Sequence, residues 1–290
     1  MKVILSRKGF DSQYGRVPSP ILPDGRMISL PIPDKGAPVS YRSINRDGIN
    51  LGTMVTDLGA KRGNPTKPIS VDDKAHLDPD LDADAVPRPH GWRPIFGQES
   101  SAYGHLRNQG VGAGDLFLFF GWFRPALKAG ESRWRYDVNK PPVHALWGWL
   151  RIGEMHPCPP PASIVAWASG HPHLHGPPRT GNTVFVAAED VIIGGRRLPG
   201  AGIFSSMPER VLSDCNHSLS NWRLPAWMHP SHGMARLSYN VNHARWTTID
   251  HHHCRLLSAG KGQEFVLTAN DLELQDTWLA RLFSDVGVLE

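Results

Sequence analysis

Two apolar, aromatic runs dominate the hydrophobic pattern of the chain. Leu116 to Phe123 and His144 to Ile152 are each too short to cross a membrane and too rich in Phe and Trp to lie in solvent. Runs of this length and composition are typical of buried β-strands. Gly121 and Gly148 lie inside the runs, which indicates a bulge, a bend or a close backbone approach. Two bent strands joined by a long polar loop predict a small β-barrel at the centre of the chain.

The rest of the pattern favours short elements. The chain has 29 glycines and 26 prolines among 290 residues, a composition that argues against long helices. The clearest amphipathic helix is predicted at Asp271 to Phe283, with Asn270 as its N-cap. We therefore expect an α+β, mostly β fold with a small β-barrel core and N- and C-terminal elaborations. We expect a single compact domain, 1–290, with a possible division into an N-terminal segment 1–95, a central barrel 96–205 and a C-terminal cap 206–290.

Charge is unevenly distributed, although the formal net charge is only +4. Residues 1–74 carry 12 Lys and Arg against 7 Asp. Such a basic segment suits a phosphate-bearing partner, such as a nucleotide or DNA, and solvated surface charge is the commoner alternative. Arg7 and Lys8 directly follow a short apolar strand at the N-terminus, so they are predicted to bind phosphate. The alternative is that Arg7 pairs with Asp11 or Asp24 to hold a loop in place.

Cysteine spacing and hydropathy indicate the cellular compartment of the protein. Cys158, Cys215 and Cys254 are far apart and form no CxxC pair, so a disulfide framework or a cysteine-based zinc site is not expected. No secretory signal is recognised at the N-terminus, and no apolar run reaches the length of a membrane-spanning helix. A cytoplasmic protein with no membrane partner is predicted.

Two clusters of histidine and aspartate are candidate metal ligands. His76, Asp78 and Asp80 alternate along the chain, and alternate side chains of an extended segment share one face. His171 and His173 have the same spacing in the segment HPHLH. A mixed set of nitrogen and oxygen donors suits iron, manganese or zinc. The alternative is a charged surface turn for the first cluster, and a loop of exposed or phosphate-contacting imidazoles for the second.

Four segments resemble one known family, the nucleotide-modification-associated domain family, third type. They read LSRKGFDSQYGRVPSPILPDGRMISLPIP, HLDPDL, GHLRNQGVGAGDLFLFFGWFR and KGQEFVL, and the likeness runs over about residues 2–283. That family occurs in bacteria and phages and is linked to the making of modified DNA bases. The resemblance implies a nucleotide or nucleic-acid setting but brings no known reaction. It marks these motif positions: Arg7, Lys8, Asp11, Ser12, His76, Asp78, Asp80, His105 and Asp115.

A second likeness concerns the two central runs alone. GDLFLFFGWF followed by ALWGWLRIGE is similar in pattern to PUA-like barrels, including the EVE and ASCH domains. This likeness makes a PUA-like barrel one form that the predicted core could take.

Three functions remain open. The leading hypothesis is a nucleotide- or DNA-base-modifying enzyme with a possible divalent metal cofactor (Fe, Mn or Zn), for which Asp11, His105 and Asp115 are the candidate catalytic residues. The second is a non-catalytic reader of modified bases, in which Trp122 and Trp149 hold a flipped base. Arg7, Lys8 and Ser12 would then contact the rest of the nucleotide. The third is a metal-dependent enzyme of small-molecule, natural-product biosynthesis.

Overall fold

The structure is a computed structural model that describes residues 1–63, 66–130, 133–177, 179–214, 216–260 and 262–289. Cys215, and Lys261 of the KGQEFVL segment, lie outside the described residues. The α-helices of the described part are α1 (Leu51–Asp57), α2 (Ser100–Asn108), α3 (Ala162–Ala168) and α4 (Leu272–Leu282). None of them combines the length and the apolar content needed to cross a bilayer.

The strands of the described part are mostly short. In the first half of the chain they are β1 (Val3–Arg7), β2 (Ser19–Ile21), β3 (Ile32–Pro33), β4 (Asn45–Arg46), β5 (Ile49–Asn50), β6 (Lys61–Arg62), β7 (Lys67–Pro68), β8 (Ala75–His76), β9 (Ile95–Gln98), β10 (Leu116–Ala129), β11 (Arg133–Tyr136) and β12 (Val143–Pro157). In the second half they are β13 (Thr183–Ala187), β14 (Asp190–Ile193), β15 (Arg196–Pro199), β16 (Ala201–Ile203), β17 (Asn221–Pro225), β18 (Ala235–Leu237), β19 (Trp246–Thr248), β20 (His253–Leu257) and β21 (Glu264–Ala269).

One mixed sheet organises the molecule, in the order β18-β21-β1-β10-β12-β13-β9, and β2, β11 and β16 pair along its side. The α+β, mostly β class is confirmed. The sheet of the described residues forms an open path, and no closed barrel is found there. The reason lies in the length of β12, which pairs with β10 and β16 in its first part and with β13 in its second. The bent strand therefore joins neighbouring sheet segments instead of closing a ring.

The two aromatic runs form the central strands β10 and β12, as predicted. Their register shifts between Phe119 and Phe120, which is a bulge. Gly148 lies opposite Phe119, and a Cβ atom added to Gly148 would lie 2.8 Å from Cδ1 of Leu81 and 3.1 Å from the carbonyl oxygen of Gly202. The glycine is therefore needed because a neighbouring side chain and a neighbouring strand approach the backbone closely.

The first strand lies in the middle of the sheet although it starts almost at the first residue. β1 runs parallel to β10 and antiparallel to β21. Its side chains alternate between two cores, so that Leu5 packs on one face and Ile4 on the other. Arg7 ends the strand, and the chain then leaves the sheet beside β9 and β21.

The closing helix α4 forms within the predicted segment. Asp271 caps it by accepting a hydrogen bond from the backbone N–H of Leu274 (3.0 Å), so the N-cap is one residue later than Asn270. Trp278, Leu279 and Leu282 are buried against the sheet, whereas Leu272 remains 59% exposed because it lies in the first turn, away from the core.

Candidate functional site

A cavity of about 420 Å³ opens beside the end of β1. Three parts of the chain that are distant in sequence form its walls: the segment after β1, the segment around His76, and the loop that carries His173. The fourth wall is the edge strand β9. Its lining includes Arg7, Lys8, Asp11, Asp34, His76, Asp78, Gly97, Gln98, Glu99, His173, Arg179 and Gln263.

His76, Asp78 and His173 converge in this cavity. Each of them offers one donor atom, and the three atoms all lie within 4.8 Å of one another. Nε2 of His76 lies 3.9 Å from Oδ2 of Asp78, and Nε2 of His173 lies 3.6 Å from the same oxygen. Two imidazoles and one carboxylate that leave further positions open are a donor set found around iron and catalytic zinc, with bonds of roughly 2 Å.

A carboxylate fixes the orientation of His76. Nδ1 of His76 lies 2.8 Å from Oδ2 of Asp34. A carboxylate only accepts hydrogen bonds, so Nδ1 carries a proton and Nε2 is the nitrogen that lies on the side of Asp78. The hydrogen bond with His76 lowers the pKa of Asp34 to about 2, so the carboxylate is ionised at neutral pH.

An amide fixes the orientation of His173 in the same way. Nδ1 of His173 donates to Oδ1 of Asn182 (2.7 Å), and the amide nitrogen of Asn182 donates to the backbone oxygen of His173 (2.8 Å). This pair of bonds leaves Nε2 of His173 free for an ion. Burial lowers the pKa of His173 to about 4, so the ring is neutral near pH 7, which is the form that binds metals.

Asp78 accepts two hydrogen bonds on one oxygen. Oδ1 accepts from the backbone N–H of Gly97 (2.8 Å) and from Nε2 of His171 (3.1 Å). Burial alone would raise the pKa of Asp78, but the hydrogen bond from His171 and the neighbouring imidazoles outweigh it and hold that pKa well below the usual range. The ionised carboxylate keeps Oδ2 directed at the two histidines.

The structure corrects the role of His171. Its Nδ1 accepts a hydrogen bond from the backbone N–H of His173 (3.4 Å), and its Nε2 donates to Asp78. Both ring nitrogens are therefore engaged within the protein. His171 is buried at the N-cap of a short 3-10 turn, where it positions Asp78 and lies outside the group of His76, Asp78 and His173.

The structure also removes Asp80 from the predicted ligand group. Its two oxygens accept hydrogen bonds from both terminal nitrogens of Arg88, each at 2.6 Å. The expected alternation fails because the strand β8 ends at His76, and the backbone of Asp80 pairs with Ile95, the first residue of β9. Asp80 thus helps to anchor the loop of Arg88.

Arg7, Lys8 and Asp11 line the cavity, as the basic N-terminal edge suggested. The guanidinium of Arg7 donates to the backbone oxygens of Ala259 (3.3 Å) and Gly262 (3.2 Å). Nζ of Lys8 donates to the buried Glu264 (3.1 Å). Asp11 caps a turn, because its Oδ1 accepts from the backbone N–H groups of Gln13 and Tyr14, both at 2.7 Å.

Four other predicted site residues do not line this cavity. Asp115 accepts the backbone N–H groups of Lys2 (2.8 Å) and Gly112 (3.0 Å) and so holds the Gly-rich turn against β1. Ser12 is exposed at the tip of its turn. Trp149 is 4% exposed and packs on Phe204 and Phe283 in the core. Trp122 is partly buried in β10, where it lies opposite His144 of β12.

His105 lines a second cavity that adjoins the first. Its Nε2 lies 2.9 Å from Oγ of Ser238, and burial lowers its pKa. Sequence reasoning missed the supporting residues Asp34, Asn182 and Gly97. No motif marks them, because each acts on a ligand many residues away in the chain.

Comparison with protein families identifies a match over most of the chain. The family model described as nucleotide modification associated domain 3 matches residues 2–268, a span that includes every residue of the candidate metal site. The comparison with curated proteins found no match, and neither did the comparison with solved structures. Because the matching model covers most of the sequence, the chain belongs to the nucleotide modification associated domain 3 family.

Proposed function

We propose that this protein is an enzyme that modifies nucleotides or the bases of DNA, with a divalent first-row metal ion held by His76, Asp78 and His173. The ion would be iron, manganese or zinc, since these metals accept two imidazoles and a carboxylate. A bound ion polarises an oxygen of the substrate, or activates water or dioxygen. The family supports nucleotide modification as the setting.

One observation carries this proposal: both histidines have their second nitrogen tied to an acceptor. Asp34 holds Nδ1 of His76, and Asn182 holds Nδ1 of His173. Histidines that bind metals in proteins nearly always have such a partner, which fixes the tautomer and the direction of the free nitrogen. A surface cluster of imidazoles would not need these buried supports.

The cavity wall carries three cations beside the four carboxylates of Asp11, Asp34, Asp78 and Glu99, so its formal charge becomes positive only with a divalent ion bound. Arg7, Lys8 and Arg179 line the cavity with the three candidate ligands. Lys8 forms an ion pair with Glu264, and Arg179 forms one with Glu99. These pairs hold the side chains of the wall in place, and the two cations also contribute positive charge. With the ion in place, the metal and the guanidinium of Arg7 favour a phosphate-bearing molecule over a cationic one.

Elemental analysis tests the metal centre. Protein purified without an affinity tag should hold about one iron, manganese or zinc ion per chain. His76→Ala and His173→Ala should each lose it, since two ligands rarely retain an ion. The double variant His251→Ala/His252→Ala is the control, because this exposed histidine run could bind metal adventitiously and should not affect the site. Equal metal content in wild type and His173→Ala would refute the proposed centre.

Product analysis tests the reaction. Metal-loaded protein would be incubated with each of the four deoxynucleotides and with single- and double-stranded DNA. The products would then be hydrolysed enzymatically to nucleosides, and the nucleoside masses measured by mass spectrometry. A new nucleoside mass that is absent with His173→Ala supports the enzyme. Salt-sensitive binding without any mass change would instead identify a non-catalytic reader.

A further inference from the structure

A second cavity, of about 500 Å³, lies next to the candidate metal site. The two cavities share the lining residues Gln98, Glu99 and Gln263. Gln98 follows Gly97, whose N–H holds Asp78, so the strand β9 forms the boundary between the metal site and the second cavity. A molecule in the second cavity would therefore lie beside the three metal-binding side chains.

Glu264 gives this cavity a buried acceptor. The residue is 1% exposed, and its Oε1 accepts hydrogen bonds from Nζ of Lys8 (3.1 Å) and Nε2 of Gln98 (2.5 Å). Its other oxygen, Oε2, is buried and has no hydrogen-bond partner among the described residues. A buried carboxylate oxygen without a partner is costly, and a ligand N–H that donates to it would remove that cost. Because Lys8 already balances the charge, a neutral N–H suits this oxygen better than a second ammonium group.

Tyr239 gives the cavity an aromatic wall. Its ring centroid lies 4.2 Å from that of His105, and 45% of the residue is exposed. The backbone of Tyr239 has a φ of 62°, which an aromatic residue rarely adopts. Hydrogen bonds of the two neighbouring residues hold Tyr239 in this conformation. The hydroxyl of Ser238 accepts from the backbone N–H of Val266, and the side chain of Asn240 accepts from the backbone N–H of Ala259, both at 2.8 Å.

The start of α2 completes the cavity. Ser101 and Ala102 line it in the first turn of this nine-residue helix. Backbone N–H groups of a first turn have no partner within the helix and favour an anion such as phosphate. Glu99, the N-cap residue of α2, also lines the cavity, and Arg179 balances its charge. An N–H acceptor, an aromatic surface and a helix start that favours an anion together suit a nucleotide.

We infer that the second cavity is the nucleotide subsite: Glu264 accepts an N–H of the base, Tyr239 contacts its ring, and the start of α2 receives the phosphate. This inference rests on the proposed function and specifies where its substrate binds. It assigns His105 to the support of Tyr239, because the two rings pack together and His105 is held by Ser238.

Calorimetric titration of the metal-loaded protein tests the subsite. The probes are the four deoxynucleoside 5′-monophosphates and 2-deoxyribose 5-phosphate, which lacks a base. At least one nucleotide should bind at least about tenfold more tightly than the base-free phosphate. Tyr239→Leu and Glu264→Gln should each weaken that binding by about tenfold, through loss of the aromatic contact and of the acceptor. Val241→Ala is the control, since Val241 is also exposed, lies two residues away and does not line the cavity.

Metal content measured on the same samples separates this inference from the proposed function. Tyr239→Leu with wild-type metal content and weakened nucleotide binding supports the subsite. Nucleotides that bind no better than 2-deoxyribose 5-phosphate, or equally well to Tyr239→Leu, overturn the subsite even when the metal is present. Absence of metal together with base-dependent binding refutes the metal centre and leaves the subsite in place. If Glu264→Gln does not fold, the result for Tyr239→Leu decides the test. Tyr239 is half exposed, so its substitution should leave the protein folded.

Discussion

At the scale of single residues, the chemistry of this site depends on which nitrogen of each histidine is free. Asp34 and Asn182 decide this for His76 and His173, and neither belongs to a sequence motif. Outer hydrogen-bond partners of this kind change metal affinity without touching the metal. Their contribution can therefore be measured separately from that of the ligands.

Asp34→Asn should lower metal affinity by about 10- to 100-fold while the protein stays folded. The amide of asparagine is a weaker acceptor and can turn its NH₂ group towards Nδ1 of His76, so the ring loses its preferred tautomer. Competition with a chelator of known affinity measures the change. Asp24→Asn, which alters an exposed carboxylate paired with Arg26, is the control and should match wild type. Equal affinities for both variants would contradict the role given to Asp34.

His144 provides a pH-dependent contribution to stability. Its Nδ1 accepts a hydrogen bond from Nε1 of Trp222 (3.0 Å), and burial, with a smaller effect of Arg7, lowers its pKa to about 3. An unfolded histidine has a pKa of about 6.5, so this contribution is complete above pH 6.5. It is lost at about 1.4 kcal/mol per pH unit as the pH falls from there towards 3.

His144→Gln should remove most of that pH dependence, because glutamine keeps an acceptor for Trp222 but does not titrate. Urea unfolding at pH 7, 6, 5 and 4 gives the free energy of unfolding of both proteins. We expect the wild-type value to fall more steeply with decreasing pH, by about 1 kcal/mol per pH unit. Parallel curves would show that His144 is not neutral in the folded protein.

At the scale of elements, the short strand β9 connects the two cavities. The backbone N–H of Gly97 donates to Asp78, and the ring of His173 packs directly on its Cα. The next residue, Gln98, turns its side chain to Glu264 in the second cavity. Successive residues of a strand face opposite sides, so four residues are enough to support both sites.

Gly97→Ala should disrupt the candidate metal site while the sheet remains intact. A Cβ atom at this position would lie 2.3 Å from Cγ and Cδ2 of His173, so the imidazole would have to move. We expect metal affinity to fall on the order of tenfold or more, as it does when other outer supports are lost. The same chelator competition measures it.

Gly104→Ala is the matched control for this substitution. No atom lies within 4 Å of the added Cβ, and the residue lies inside α2. Alanine there should leave metal affinity unchanged and raise the free energy of unfolding by up to about 1 kcal/mol, because alanine favours helix. Equal metal affinities for the Gly97 and Gly104 variants would remove the steric explanation.

At the scale of the whole molecule, the central strands are buried on both faces. Val3 and Leu5 pack into one core and Ile4 into the other, and the same alternation continues in β10. This explains why the aromatic run is continuous instead of alternating with polar residues. The cavity lies at the end of this rigid layer, which fixes where the segment after Arg7 emerges.

Ile4→Ala should therefore destabilise the entire protein, by about 2–5 kcal/mol. Ile4 is completely buried in the middle strand, whereas Ile192 is 59% exposed. Ile192→Ala is the control and should change the free energy of unfolding by no more than about 0.5 kcal/mol. Urea unfolding with equal slopes for the three proteins gives these values. A small effect of Ile4→Ala would mean that β1 is peripheral to the core.

The sequence by itself determined the central strands and the mostly β class. Apolar runs such as Leu116 to Phe123 and Pro- and Gly-rich connections are local features, and local pattern reports burial directly. It also determined that His76, Asp78 and His173 were candidates, because their residue types and spacing suit metals. The same local argument included Asp80 and His171, which have the same spacing.

Only the tertiary structure decided which candidates meet, and what each one does. Asp80 is paired with Arg88, and Trp149 packs in the core. No residue within five positions of either one indicates these contacts. Asp34 and Asn182 lie 42 and 9 residues from the histidines that they hold. The physical reason is that periodicity describes the environment along one segment, whereas a metal site or a nucleotide cavity requires side chains from several segments at distances of a few ångströms. The packing of β1, β9 and the loop of His173 around one edge of the sheet determines those distances.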